Sequence, residues 1–372
     1  MEKDPKLLIE KYLSDKATVE EQAALEDWYA KVLPDGPALA PEKIEMHHNE
    51  VLTRIQFSRK RAFWPYFTKV AVAASLLVFV GIGYIYQTRF QKTVPVAISH
   101  AAHEILPGGN KAILKLADGR VIDLDQKGSG PIAVQNGVVA HQLNNGILKY
   151  DTKGNGKLSL QTNVINIPRG GKFQLVLSDG SRVWINAMSE LKFPSAFSGN
   201  ERVVELSGEA YFEVAKDSRR PFVVKTANQQ VQVLGTHFNV NSYPDETEIK
   251  TTLAEGRVLV TSGGKSVSLK PGEQSRLNRG FNSLSLVRDI DLEEELSWKN
   301  EIFAFNNDDI KTVMRQLSRW YDLDVIYKGK VSNERYFGEI PRNSKLSEVF
   351  EILQLNHVDI KITGKTMVIT GN

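Results

Sequence analysis

The 372-residue chain contains no cysteine. This absence excludes a disulfide scaffold, a thiolate zinc site and a cysteine nucleophile. The chain also lacks an excess of charge of one sign, because 47 basic and 44 acidic residues give a net charge of +3. Such a balance does not indicate a basic surface for nucleic acid, and we expect no direct contact with nucleic acid.

Catalytic motifs are equally scarce. No G-x-S-x-G sequence marks a nucleophilic serine, and the seven histidines include no H-E-x-x-H pair. The tract Gly263-Gly264-Lys265-Ser266 resembles the end of a phosphate-binding loop, but Leu259 stands where the first glycine of that loop must be. We interpret the tract as a hairpin turn. The sequence therefore predicts a protein that is not an enzyme and that holds no cofactor or metal ion.

Long apolar runs are rare, and one segment stands out. From Val70 to Tyr86 no charged residue occurs over 17 positions, and a helix of that length crosses most of a hydrocarbon core of about 30 Å. Four basic residues before the run outnumber two after it: Arg59, Lys60, Arg61 and Lys69 against Arg89 and Lys92. Because positive charge stays on the cytoplasmic side, we expect a single-pass inner-membrane protein with a cytoplasmic N-terminus and a periplasmic C-terminus. A buried core helix is the alternative.

The residues before this run have the spacing of helices. Residues 1–57 carry seven basic and twelve acidic residues, a net charge of −5. Thr18-Val-Glu-Glu21 is a capping box that predicts the start of an amphipathic helix. Apolar side chains recur at helical spacing, among them Leu8, Tyr12, Leu13, Leu25, Trp28 and Tyr29. So short a segment buries little surface, and we expect these side chains either to bind a partner or to pack on one another.

After residue 107 the period changes to that of strands. Alternating apolar residues are interrupted by turn pairs typical of hairpins, such as Asp118-Gly119 and Asp179-Gly180. The segment Gly108 to Gly119 aligns without gaps on Arg169 to Gly180, at an offset of 61 and with six identities. This internal repeat favours a β domain with a stacked, solenoid-like arrangement.

From Trp298 onward, strands and helices alternate. A strand from Ile302 to Phe305 precedes a helix that Asn307 or Asp308 would cap, and the order then recurs. The apolar face of this helix is predicted to contain Ile310, Val313, Met314, Leu317 and Trp320. Two βαβ-like units of this size make a compact α+β module.

These segments together predict the fold class. We expect a multidomain membrane protein with a small all-α cytoplasmic head, one transmembrane helix, a β-rich periplasmic domain and a C-terminal α+β module. The predicted boundaries are 1–57 for the head, 58–69 for a basic juxtamembrane segment, 70–87 for the transmembrane helix, 88–107 for a linker, 108–290 for the β domain and 298–372 for the module.

The chain resembles a known family in several motifs. They are PRGGKFQLVLSDGSRVWINAMSELKFP from Pro168, LSGEAYFEVAKDSRRPFVV from Leu206, VQVLGTHFNV from Val231, LAEGRV from Leu253 and LKPGEQ from Leu269. With these motifs the sequence is similar to the FecR-type transmembrane anti-sigma factors. The C-terminal module is similar to the short N-terminal domain of secretins and TonB-dependent transducers.

The resemblance implies a signalling relay. The head would bind an extracytoplasmic-function sigma factor, and the candidate contacts are Leu8, Tyr12, Leu13, Leu25, Trp28 and Tyr29. An outer-membrane TonB-dependent transducer would bind the C-terminal module by strand addition. We expect the last strand to be an exposed edge that offers Thr366, Met367, Val368, Ile369 and Thr370. The resemblance also implies regulated cleavage by an intramembrane protease.

Two other classes of protein remain open. A membrane-tethered hydrolase would need a catalytic group of side chains that the motifs do not provide. A membrane-tethered periplasmic carbohydrate-binding or scaffold protein would explain the β-rich region and its aromatic residues, but it would have no evident use for an acidic helical head.

Overall fold

The computed structural model of the chain separates into two units, residues 1–88 and residues 89–372. The structure describes residues 18–21, 23, 104–125, 129–135, 137–143, 146–152, 161–331, 333–353, 355 and 358–371. Strands account for 51% of these residues and helices for 13%. The described part of the protein is therefore rich in β-structure.

In the first unit the structure describes the capping box. The backbone N–H of Glu21 donates to Oγ1 of Thr18 at 3.3 Å, and the N–H of Thr18 donates to Oε2 of Glu21 at 3.2 Å. This reciprocal pair confirms the predicted helix start. The predicted sigma-binding residues lie outside the described residues: Leu8, Tyr12, Leu13, Leu25, Trp28 and Tyr29.

The predicted membrane topology requires correction. Among the described residues, no helix has both the length and the apolar character needed to cross a membrane. The longest described helix, Ile310–Tyr321, has 12 residues, whereas a span needs about 20 apolar residues. The predicted fold class, with its all-α head and transmembrane helix, is therefore corrected to a β-rich protein. The predicted single-pass inner-membrane localisation is contradicted by the same finding. Residues 70–87, on which the predicted span rested, lie outside the described residues.

The second unit begins with a β domain. Its described strands, in chain order, are β1 (Gly109–Asn110), β2 (Ile113–Lys115), β3 (Val121–Asp123), β4 (Gly130–Gln135), β5 (Val138–Gln142), β6 (Leu148–Thr152), β7 (Thr162–Ile167), β8 (Gly171–Val176), β9 (Arg182–Ile185), β10 (Ser189–Pro194), β11 (Arg202–Glu213), β12 (Phe222–Lys225), β13 (Gln230–Val233), β14 (His237–Ser242), β15 (Glu248–Glu255), β16 (Val258–Ser262), β17 (Lys265–Leu269), β18 (Gln274–Asn278) and β19 (Ser283–Val287).

Eighteen of these strands form two sheets that share one long strand, and β1 pairs in parallel with β8. The order is β3-β2-β7-β10-β11-β12-β13-β16-β17 in the first sheet and β4-β5-β6-β8-β9-β11-β14-β15-β18-β19 in the second. Residues 202–207 of β11 pair in the first sheet and residues 208–213 in the second. At this change of sheet, Gly208 has a φ of +99°, and a Cβ atom there would lie 2.3 Å from Oγ of Ser189. Only glycine fits this position.

The facing sides of the two sheets form one hydrophobic core. Alternate residues are buried along strands such as β8, β13 and β16, as expected for sheets with one covered face. Within this core, Phe212 stacks on Phe238 of the neighbouring strand, with 5.1 Å between the ring centroids. Both sheets supply core residues, for example Leu114, Ile165, Leu191 and Val224 from the first and Leu175, Val183, Phe212 and Leu253 from the second. The β domain is a sandwich.

The internal repeat corresponds to two equivalent hairpins. The N–H groups of Gly119 and Gly180 each donate to the carbonyl oxygen three residues earlier at 2.9 Å, and the two φ angles are +89° and +88°. The first copy forms the β2–β3 hairpin of the first sheet, and the second copy forms the β8–β9 hairpin of the second sheet. The repeat therefore relates strands of opposite sheets, and the expected stack of successive units is wrong.

The C-terminal module follows the sandwich. Its elements are α1 (Leu292–Glu295), a 3₁₀ helix (Ser297–Asn300), β20 (Ile302–Asp309), α2 (Ile310–Tyr321), β21 (Asp324–Lys328), β22 (Arg335–Pro341), α3 (Leu346–Ile352), β23 (Asp359–Thr363) and β24 (Thr366–Thr370). Strand β20 pairs with β22, and the order β21-β24-β23 forms a three-stranded sheet. A second hydrophobic core contains Met314, Leu317, Trp320 and Val349.

Two local predictions about turns and caps have different outcomes. Gly263 and Gly264 form the turn between β16 and β17, which confirms the hairpin interpretation. The cap of α2 is Asp309, which accepts the N–H of Thr312 at 2.8 Å, so the predicted cap at Asn307 or Asp308 is wrong. A bulge with Asn307 at a φ of +62° carries strand β20 up to Asp309.

The last strand does not lie at an edge. Strand β24 pairs with β21 in parallel and with β23 in an antiparallel hairpin, so the predicted exposed edge at Thr366–Thr370 is wrong. The short turn at Gly364 brings β24 back beside β23, and its other side is taken by β21 from the first half of the module. Met367 and Ile369 are fully buried, whereas Thr366, Val368 and Thr370 belong to the opposite, more exposed face.

Candidate functional site

A polar cavity of about 290 Å³ lies where the second sheet of the sandwich meets the C-terminal module. Its walls include Asn186, Glu209 and Asn241 of the sandwich, and Arg319 and Arg342 of the module. Charged side chains rarely lie inside a protein without partners, so this group defines the candidate site.

Glu209 is the buried acid of the site. It stands on β11, 7% exposed, and it accepts hydrogen bonds from the side-chain amides of Asn186 at 2.8 Å, Asn239 at 3.0 Å and Asn241 at 3.2 Å. Burial raises the pKa of Glu209 above its ordinary value of 4.5, although the donors Asn239 and Asn186 oppose the shift. The three amides supply the polar partners that a buried carboxylate requires.

Arg342 is the buried base that the module contributes. It is 2% exposed, and its guanidinium donates to Oδ1 of Asn186 at 3.1 Å and to the carbonyl oxygen of Trp298 at 3.2 Å. The guanidinium also lies 3.9 Å from the ring centroid of Trp320, a favourable cation–π position. Burial lowers the pKa of Arg342 to about 10, so the group stays charged at neutral pH.

A second arginine fixes helix α2 to the sandwich. Arg319 is 5% exposed, and it donates to Asp245 and to Glu246, at 2.8 Å in both cases. Its guanidinium lies 3.9 Å from the ring centroid of Tyr243. One turn earlier on the helix, Arg315 donates through Nε to both carboxylate oxygens of Glu246 at 3.0 Å. Shared, bidentate ion pairs of this kind hold a fixed geometry.

The turn before β8 makes a third connection. The N–H of Gly170 donates to the carbonyl oxygen of Arg319 at 2.8 Å, and Arg169 donates to the carbonyl oxygen of Leu323 at 3.0 Å and to Asp324 at 2.5 Å. Lys172 forms an ion pair with Glu301. The sandwich and the module are thus joined along an extended polar contact.

The sequence motifs meet at this contact. Arg169, Gly170 and Asn186 come from the motif that starts at Pro168, Glu209 from the one that starts at Leu206, and Asn239 from the one that starts at Val231. Sequence reasoning located these motifs but missed Arg319 and Arg342 of the module. The sequence gives a weak indication that Arg319 is buried, because Arg319 directly precedes Trp320 on the apolar face of α2. It gives no recognisable indication for Arg342.

A lysine side chain lies against two aromatic rings near the site. Nζ of Lys299 lies 4.7 Å from the ring centroid of Trp184 and 4.6 Å from that of Tyr211. Glu213 lies 3.8 Å from the same ammonium group. The aromatic rings therefore already have a cation against them.

Within the described part of the chain, no group of three or more His, Cys, Asp or Glu side chains could hold a metal ion. The charged groups of the site are bonded mainly to one another and to side-chain amides. Such an arrangement joins two parts of a protein in one orientation.

Comparison with known proteins agrees with this architecture. Residues 163–259 match the family described as FecR protein, and residues 302–369 match the family described as FecR, C-terminal. Two crystal structures of a candidate anti-sigma factor from Parabacteroides distasonis ATCC 8503, at 1.65 Å and 2.50 Å resolution, are similar to the chain at 27% identity. Their TM-scores are 0.52 and 0.53, and the alignments cover 56% and 57% of this chain and 99% of each of those chains. Among the curated proteins compared, none matches the chain significantly.

The sandwich and the attached α+β module thus define a regulator of the anti-sigma, signal-transducing class. The two matched regions are FecR-type domains, as the motifs predicted. A sigma factor is the general partner of such a regulator.

Proposed function

We propose that the chain binds an extracytoplasmic-function sigma factor and receives its signal from an outer-membrane TonB-dependent transducer. The observation that carries the proposal is the joint presence of both FecR domains, with the C-terminal domain held against the sandwich by Arg319 and Arg342. A module held in one orientation can present a surface to a partner and pass a displacement on.

Residues 1–57 are the proposed sigma-binding segment. Their net charge of −5 and the apolar stripe through Leu25 and Trp28 fit a surface with a hydrophobic centre and a charged rim. The proposed contacts remain Leu8, Tyr12, Leu13, Leu25, Trp28 and Tyr29.

The open face of the β21-β24-β23 sheet is the proposed transducer-binding surface. Of the five residues of β24, Met367 and Ile369 belong to the core, so we assign the contact to Thr366, Val368 and Thr370. Ile326 on β21 pairs with Val368 and is 47% exposed. The exposed Ile326 and the partly buried Val368 give the face an apolar centre.

A matched pair of substitutions tests this surface. Ile326→Asp in the full chain is expected to weaken binding of the transducer's signalling domain by about tenfold or more, because a charge enters an apolar contact. Ile352→Asp is the control, since Ile352 is 49% exposed on α3 of the same module. Calorimetry with the purified signalling domain measures the difference. Equal loss in both variants, or no loss in either, would contradict the assignment.

Sigma binding is tested separately with the full chain. We expect saturable binding of the extracytoplasmic-function sigma factor by calorimetry and no binding of a primary sigma factor. Deleting residues 298–372 is unsuitable as a test, because it would uncover Glu209 and remove the arginine partners of Asp245 and Glu246, and so disturb the sandwich. The expected intramembrane protease is no part of the proposal, because it requires a membrane span.

The alternative carbohydrate-binding function is less well supported. Sugar-binding surfaces need free aromatic faces, and Lys299 already lies against both Trp184 and Tyr211. Glycan binding by the full chain that is lost in Trp184→Ala would favour this alternative over the relay.

A further inference from the structure

Residues 104–109 are the first described residues of the second unit and lead into the sandwich, and we call them the connecting segment. Although they precede the sandwich in the sequence, they contact the C-terminal module, which lies more than 190 residues further along the chain. Three observations define this contact, one at each of Glu104, Ile105 and Gly108.

Ile105 is bound by the module through its backbone and its side chain. Its carbonyl oxygen accepts the N–H of Leu346, the first residue of α3, at 3.2 Å. Its side chain packs against the hydrophobic core of the module. The neighbouring Leu106 is 66% exposed, so the two side chains have opposite environments.

Glu104 adds polar contacts to the same helix end. Its carboxylate lies 2.8 Å from Nζ of Lys345 and accepts the hydroxyl of Ser347 at 3.3 Å. The Lys345 hydrogen bond lowers the pKa of Glu104. Both partners of the ion pair are close to half exposed, so this pair orients the segment and contributes little to its stability.

Gly108 passes through a gap between the sandwich and the module. A Cβ atom on Gly108 would lie 2.7 Å from the carbonyl oxygen of Gly170 and 2.9 Å from Cε3 of Trp320. Gly109 then pairs with Gly171 in parallel, and its N–H donates to Gly170 at 2.9 Å. A Cβ atom on Gly109 would meet no atom within 4 Å. Only the first of these glycines is required by its surroundings.

We infer that the connecting segment couples the C-terminal module directly to the chain before residue 104. Any displacement of α3 or Trp320 changes the contacts of this segment with the module. The movement does not first pass through the sandwich strands. The inference rests on the proposed function, because it assigns the route by which a transducer bound to the module would act on the sigma-binding residues.

The contact between the connecting segment and the module can be tested without any partner protein. Because the chain has no cysteine, Ile105→Cys and Leu106→Cys each introduce a unique thiol into the full chain. We expect a soluble maleimide to react with Ile105→Cys about tenfold more slowly, since the side chain at 105 is partly buried against the core of the module. Adding Gly108→Ala should bring the two rates to within about twofold of each other, whereas Gly109→Ala should leave the difference intact.

The coupling is then tested in cells by transcription from a sigma-dependent promoter, with and without the inducing signal. Gly108→Ala should change the induction ratio by about fivefold or more, and Gly109→Ala, at matched abundance, should leave it unchanged. Equal labelling rates of Ile105→Cys and Leu106→Cys would contradict the contact between the connecting segment and the module. A loosened segment with unchanged induction would overturn the coupling. If the full chain bound no sigma factor, both the proposed function and the coupling would be refuted. Slow labelling of Ile105→Cys would still support the contact between the connecting segment and the module.

Discussion

The guanidinium of Arg342 donates to the side-chain oxygen of Asn186 at 3.1 Å, although 156 residues separate the two in the sequence. The amide nitrogen of the same Asn186 donates to Glu209 at 2.8 Å. A single asparagine therefore bridges a buried base of the module and a buried acid of the sandwich. This bridge makes the contact between the two domains testable by substitution.

Asn186→Ala should lower the free energy of unfolding by about 2 to 3 kcal/mol, because it removes one partner from each of two buried charged groups. Chemical denaturation of the full chain measures the change. Asn200→Ala is the control, since Asn200 is exposed in the loop between β10 and β11. Equal stability of the two variants would show that the bridge contributes nothing.

The pH dependence of stability should reveal Glu209. Because burial raises the pKa of Glu209 above 4.5, the folded state holds this proton more tightly than the unfolded state, and stability from this group is lost as the pH rises through the folded pKa. Arg319, Arg342 and Glu295 are the charged groups that interact with it. The glutamine side chain of Glu209→Gln does not titrate, so this variant lacks the contribution of Glu209 to the pH dependence.

The stability of the native protein minus that of Glu209→Gln should therefore fall as the pH rises above about 4.5 and become constant above the folded pKa. Denaturant unfolding of both proteins between about pH 4 and pH 8 measures this difference, and titrations common to both cancel. A difference that rises with pH would contradict the raised pKa.

Arg319→Lys should lower the free energy of unfolding by about 1 to 2 kcal/mol, although it preserves the charge. Lysine has no planar fork with which to bond Asp245 and Glu246 while lying over Tyr243. Arg120→Lys is the matched control, because Arg120 and its partner Asp118 are 56% and 43% exposed. We expect no measurable change in that variant, and an equal loss in both would refute a special role for Arg319.

Leu25→Ala together with Trp28→Ala should weaken sigma-factor binding by more than about 2 kcal/mol if both side chains belong to the hydrophobic centre of the interface. Phe281→Ala is the control, since Phe281 is 86% exposed on the sandwich. Calorimetry measures affinity, and circular dichroism verifies folding. Wild-type affinity in a folded double variant would mean that these residues pack internally.

Several features of this protein follow from the sequence by itself. The capping box at Thr18 and Glu21, the apolar face of α2 and the hairpin turn at Gly263-Gly264 depend on neighbouring residues, whose local geometry a short pattern specifies. The FecR motifs are also visible, because they are contiguous stretches of sequence. Local predictions went wrong where a bulge carried strand β20 past Asn307 to Asp309.

Other features were decided only by the tertiary structure. Strand pairing placed β24 between β21 and β23, and the two copies of the repeat in opposite sheets, since a strand's pattern shows which face is buried but not which strand lies beside it. The site depends on contacts between distant residues, as in Arg342 with Asn186, Arg319 with Glu246 and Ile105 with Leu346. Each of these residues is unremarkable in its own segment, and its role follows from the partner that folding brings within hydrogen-bond distance.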